Sequence, residues 1–234
     1  METLTDIPFS LDAESLIARS HVAPGSDDAE NLRSLVELAT RNGKPKGAYT
    51  VSFIEGIDGD SVRIDGVSFM SRTLARNLRS VERVFPFVAT CGHEMDEIFP
   101  AKADMLKEFW WDMIKARLLG VAVNHVLEHL HRLFRLGKTA IMQPGSGDAT
   151  IWPIEQQQDL FSLLGDVEGQ VGIRLTDSSL MVPNKTTSGL LFPTETDFQS
   201  CEVCYRENCP SRRVPFNKEL WEEIQQDYPA QQDN

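Results

Sequence analysis

Two stretches carry the reading of this chain: residues 143–153, QPGSGDATIWP, and residues 174–189, RLTDSSLMVPNKTTSG. In the first, Pro144, Gly145 and Gly147 interrupt regular structure and mark a loop. Gly145 and Gly147 let backbone N–H and C=O groups approach a small molecule with no Cβ in the way. Asp148 offers an acceptor for ribose hydroxyls or an ammonium group. On spacing alone the PGSGD segment is a turn. The pattern matches neither the phosphate-binding loop nor the dinucleotide fingerprint. In the second stretch a strand-like run leads into a PNKTTSG turn and a short LLF strand.

Three sections follow from working outward: an N-terminal arm and helix over residues 1–46, a core over 47–198, and a cysteine loop with a C-terminal helix over 199–234. Ser26, Asp27 and Asp28 offer caps for a helix carrying Leu32, Leu35, Val36 and Ala39 at helical spacing. Residues 48–55, 61–64 and 67–69, separated by glycine turns, read as a meander. Ser71 caps a short helix, and the apolar run VFPFVAT at 84–90 reads as a strand buried on both faces. Pro86 within that run argues for an edge or a bulge. Residues 100–136 form the longest helical region, apolar nearly all around, and so a central core helix. The mixture is α+β without regular βαβ alternation.

Composition bounds the function. The chain has 234 residues, 41% of them hydrophobic, enough for a sizeable core. No apolar run approaches the roughly 18 residues of a membrane helix, and the first residues lack a signal-peptide pattern, so a cytoplasmic protein is expected. A net charge of −12 with no basic run makes nucleic acid a poor partner.

Cys201, Cys204 and Cys209 lie within nine residues, a spacing at which three thiolates can converge on zinc or an iron–sulfur cluster. Cys91 is the candidate fourth ligand, and the alternative is three unmetallated thiols with a reversible disulfide. Residues 125–129, HVLEH, match the inverted zinc-protease signature, in which two histidines one turn apart bind the metal. The competing reading makes His125 and His129 part of the helix face occupied by Ile114, Leu118 and Ala122. Thr90-Cys91-Gly92-His93-Glu94 reads as a tight turn after the buried strand, with Cys91 and His93 able to ligate or titrate.

The order of segments resembles the S-adenosylmethionine-binding reactivation domain of cobalamin-dependent methionine synthase, including its stand-alone forms. The series is VATCGHEMDEI, a long helix, QPGSGDATIWPIEQQQDLFSLLG and VGIRLTDSSLMVPNKTTSGLLF, so the likeness spans roughly residues 67–192. Pro144-Gly145 resembles the family's Pro-Gly-Tyr loop at the S-adenosylmethionine site, and the resemblance implies that Pro144, Gly145, Ser146 and Asp148 line a small-molecule loop. Leu175-Thr176-Asp177-Ser178 resembles its Leu-Thr-Glu-Ser, with Met181, Pro183, Ser188 and Gly189 in register behind. The resemblance implies a C-shaped α+β domain with a mixed or antiparallel sheet and a long central helix. It implies binding of S-adenosylmethionine and docking on a cobalamin- or corrinoid-binding methyltransferase, where a one-electron donor permits reductive methylation. No protein nucleophile or general base is required, because the cofactors carry the chemistry. The three cysteines, if they held an iron–sulfur cluster, would supply the electron. The chain departs from the family at Ile141 and Ser146, which stand where the family has arginine and tyrosine. Neither can pair a carboxylate in bidentate fashion. The rival expectation is a non-catalytic module that binds a corrinoid or a corrinoid protein without S-adenosylmethionine.

Overall fold

The computed structural model describes residues 1–99, 104–147 and 151–226. The N-terminal segment contributes a strand, β1 (Glu2–Leu4), before α1 (Ala13–Arg19), capped by Asp12, and α2 (Asp27–Asn42). Ser26 caps α2 by accepting from the Ala29 amide, and Leu32, Leu35, Val36 and Ala39 are buried as their spacing requires. Then come β2 (Lys46–Tyr49), β3 (Ser52–Asp58), β4 (Ser61–Ile64) and β5 (Val67–Met70), the last three forming the expected meander. Ser71 caps α3 (Arg72–Leu78) by accepting from the Leu74 amide at 3.0 Å. β6 (Arg83–Thr90), α4 (Glu94–Glu97), the 30-residue α5 (Met105–Phe134) and β7 (Thr139–Met142) follow. The third section holds α6 (Gln157–Leu164), α7 (Val167–Val171), a hairpin of β8 (Arg174–Leu175) and β9 (Met181–Val182), β10 (Thr186–Pro193) and α8 (Lys218–Gln226).

All strand pairings are antiparallel, and β6 is their hub. On one side β6 pairs with β10, which pairs with β7; on the other it pairs first with β2 and then with β3. The architecture is thus α+β, with an antiparallel sheet and a long helix across it.

Pro86 is neither at an edge nor in a bulge. It sits mid-strand in the hub, and β2 and β3 meet opposite it. Tyr49 faces Phe87 and Ser52 faces Val84, so the register continues unchanged through residues 50 and 51. The Thr50 amide donates to the Pro86 carbonyl at 2.9 Å, but Pro86 has no N–H to return the bond. The expected strand over 48–55 is one run of chain divided by that missing rung.

The two sheet faces bury different partners. Phe85, Phe87, Ala89, Leu191 and Tyr49 pack on Ala122, Val126 and Leu130 of α5. Val84, Ala140, Met142, Leu190 and Phe192 face Trp152, Leu160, Leu74 and Leu78 on the other side, joined there by Val203, Cys204 and Ile224 of the C-terminal section. Arg76–Glu223 (2.9 Å) and Arg72–Gln225 (2.9 Å) fasten α8 to α3. α1 and α2 cover the first half of α5, around Trp110, Trp111 and Ile114. The buried stripe of α5 runs Ile114, Leu118, Ala122, Val126 and Leu130, so His125 and His129 stand on its flank rather than on it. His129 Nε2 meets the Tyr49 hydroxyl at 3.2 Å. Among the described residues no helix is long and apolar enough to cross a membrane.

Candidate functional site

The loop that opened the sequence reading leaves the end of β7 beside β10. The Gly145 amide donates to the Trp152 carbonyl at 2.9 Å, and the Ser146 amide to the Gln143 carbonyl at 3.1 Å. Gly145 (φ 73°) and Gly147 (φ 92°) occupy the left-handed region, where a side chain is strained. Space also demands glycine at Gly145, because a Cβ there would lie 2.8 Å from the Ile154 side chain. The bare side of Gly145 therefore faces Ile154, and the residue itself is exposed. Pro144 is buried and Ser146 half-buried. Asp148 lies outside the described residues. Ile141 packs into the apolar cluster on the α5 face.

Residues outside the expected set hold this loop. The Gln143 side chain crosses β10 and donates from Nε2 to the Thr187 hydroxyl. Gly189 makes that crossing possible, since a Cβ there would stand 2.6 Å from the Met142 carbonyl oxygen and 2.9 Å from Gln143 Cγ. The pairing of Thr187 in one strand with a glutamine after another is nonlocal, so sequence spacing gives no sign of it. Below the loop, the turn at 151–154 leads into Gln156, Gln157 and Gln158. Gln156 bonds both the N–H and the C=O of Met70 at 2.7 Å, and Gln157 donates to the buried Ser188 hydroxyl. The second opening stretch forms the β8–β9 hairpin. At its tip the Thr176 hydroxyl accepts from the Leu180 amide (3.1 Å) and meets Ser178 Oγ at 3.0 Å.

The PNKTTSG turn is clamped to α5 by two lysines. Lys115 donates to Asp96 (2.8 Å) and Asn184 (3.0 Å), and Lys185 pairs with Asp112 at 2.8 Å. Beside it, the turn after β6 presses Gly92 (φ 93°) against the Lys44 carbonyl, and Lys46 pairs with Glu94 at 2.7 Å. Burial acts to raise the Glu94 pKa, but the Lys46 hydrogen bond, a backbone amide and nearby positive charge outweigh it and hold the carboxyl below its ordinary value. Burial pushes the Cys91 thiol up to about 12.

Cys201, Cys204 and Cys209 share one loop with free thiols, but among the described residues no three His, Cys, Asp or Glu side chains gather to hold a metal. Cys204 turns inward to the core, its sulfur 3.5 Å from where a Gly147 Cβ would stand. Cys91 belongs to the cluster beneath α2 and α5, whereas Cys204 belongs to the cluster on the opposite sheet face. The loop is organised instead by Arg212. Its guanidinium donates to the carbonyls of Cys201 (2.9 Å) and Cys204 (3.0 Å) and to that of Arg206, and its amide to that of Cys209 (3.1 Å). A planar five-donor cation thus ties the carbonyls of the loop together. Residues 125–129 likewise belong to no such ligand group.

No family model matches this sequence, and no curated protein matches it by sequence. The fold is nevertheless shared with solved structures, among them the crystal structure of the MetH reactivation domain bound to AdoHcy. That likeness has a TM-score of 0.57 at 16% identity and covers 80% of this chain and 67% of that one. The chain therefore has the fold of the MetH reactivation domain.

Proposed function

We propose that this chain is an accessory protein for reductive reactivation of a corrinoid-dependent methyltransferase, binding S-adenosylmethionine at the 143–148 loop and docking on the corrinoid protein. The observation that carries the reading is the shared fold with a domain crystallised with AdoHcy. A C-shaped outline would present the loop, the hairpin and the PNKTTSG turn to the partner from one concave side. S-adenosylmethionine would supply the methyl group, and the partner's corrinoid would receive it. The chain's own residues position and exclude water: backbone groups of Gly145 and Ser146 at the loop, hydroxyls of Thr176 and Ser178 at the hairpin. A one-electron donor would complete the step, and among the described residues the Cys201, Cys204 and Cys209 loop does not gather into a metal-holding group.

One observation favours the rival module that binds the corrinoid protein without S-adenosylmethionine. Ile141 is packed among apolar side chains where the resemblance puts an arginine, leaving the methionyl carboxylate without that partner. Calorimetry of the full chain separates the two. S-adenosylmethionine binding that is lost in Gly145→Val, with the fold retained, supports the first reading. Corrinoid-protein binding with no S-adenosylmethionine affinity refutes it in favour of the second.

A further inference from the structure

We infer that Gln156, Gln157 and Gln158 form a strut that sets the hairpin against the small-molecule loop, with Gln158 the residue that positions the hairpin tip. The inference rests on the reading of that loop as a ligand site and deepens it. Successive residues entering a helix point about 100° apart, so three glutamines in a row reach three directions. Here each direction ends on a different element. Gln156 meets both backbone groups of Met70 at 2.7 Å, as a neighbouring strand would. Gln157, 2% exposed, reaches Ser188 on β10. Gln158 donates to the Thr176 carbonyl at 3.3 Å, at the hairpin tip.

The same short segment also carries the loop. The Trp152 carbonyl accepts from the Gly145 amide at 2.9 Å, Ile154 lies against Gly145, and the Ser71 hydroxyl donates to the Ile151 carbonyl. Loop and hairpin are therefore spaced by one continuous piece of backbone, anchored to the sheet by Gln157 and to the meander by Gln156. Thr176 is the receiving end. Its carbonyl takes both Gln158 and the Ser179 amide, and its hydroxyl takes the Leu180 amide, so a shift of Thr176 moves the whole tip.

Gln156 and Gln157 also hold other elements in place, so their loss would disturb more than position. Gln158 is exposed, and its replacement leaves the core untouched. The test uses the full chain as wild type, Gln158→Glu, which faces the carbonyl with a charge and no donor, and Gln158→Lys, which keeps a donor. Amide exchange at Ser179 and Leu180, affinity for S-adenosylhomocysteine by calorimetry, and the thermal midpoint are read together. Gln158→Glu should speed tip exchange and weaken affinity three- to tenfold, the range of one net hydrogen bond, with the midpoint unchanged. Gln158→Lys should restore both. Unchanged tip exchange in Gln158→Glu, or no recovery in Gln158→Lys, overturns the strut. A wild type that binds no S-adenosylhomocysteine overturns the ligand reading instead, and the exchange data still decide the strut.

Discussion

Replacing Gly189 by alanine tests the packing that holds the loop. The backbone of Gly189 is not in the left-handed region, so the effect is one of space alone. The new methyl group would stand 2.6 Å from the Met142 carbonyl oxygen, 2.9 Å from Gln143 Cγ and 3.3 Å from Phe87 Cε1. The first of these is backbone of a paired strand and cannot swing aside. Overpacking of this kind costs about 1–3 kcal/mol. Displacing Gln143 from Thr187 adds about 0.5–1.5 kcal/mol. A total near 2–4 kcal/mol corresponds, for a chain of this size, to a midpoint lowered by roughly 4–16 °C. Thermal and denaturant unfolding monitored by circular dichroism measure the midpoint and the free energy respectively. Gly120→Ala, in the α5 interior with nothing within 4 Å of the new Cβ, is the control and should gain up to about 1 kcal/mol. In a Gln143→Ala background the Gly189→Ala cost should fall by about 1 kcal/mol, because one of the two clashes is gone. Gly189→Ala stability within about 0.5 kcal/mol of wild type refutes the reasoning.

Three further outcomes follow from other parts of the molecule. Alkylation of the native protein should label the half-exposed Cys201 and Cys209 quickly, and Cys91 and Cys204 only on unfolding; peptide mass spectrometry reads the order. Glu94 has a folded pKa below its ordinary 4.5, so its contribution is present above about pH 4.5 and lost as pH falls through the folded value. Glu94→Gln should therefore be destabilised by about 1–3 kcal/mol at pH 7, with the gap to wild type closing on acidification, as urea midpoints across that range would record. Arg212→Ala should open the 201–216 loop to limited proteolysis and cost about 1–3 kcal/mol, while a chelator leaves the wild type unchanged. A chelator-induced drop in midpoint would contradict the role given to Arg212.

Local chemistry was readable and nonlocal pairing was not. Ser71 and Ser26 cap the helices that their positions announce, and Asn217 caps α8 by accepting from the Leu220 amide, because capping is decided within four residues. The meander was legible from its glycine turns. Pro86 misled because the rule that bars proline from central strands assumes a neighbour that needs its N–H, and here the break in the neighbouring strand falls opposite it. HVLEH matches a motif at the right helical spacing, yet the buried stripe passes one position further along the helix. At Gly145 the glycine was foreseen, but its cause, the Ile154 side chain, depends on how the chain returns after the loop. In the cysteine loop the part of Arg212 rests on carbonyls that every residue has, so the side-chain pattern does not show it.

The missing rung at Pro86 divides the sheet unevenly. β3 meets β6 through two residue pairs, Ser52–Val84 and Phe53–Arg83, whereas β2 meets it through four, and a seam separates them. β3, and with it the β3–β5 leaf, is thus held to the hub by fewer rungs than β2. Gln156 grips both backbone groups of Met70 and Ser71 grips the Ile151 carbonyl, so the far edge of the leaf is wired directly to the segment beneath the loop. Those side-chain bonds tie the meander to the segment beneath the loop without passing through the strands that lie between.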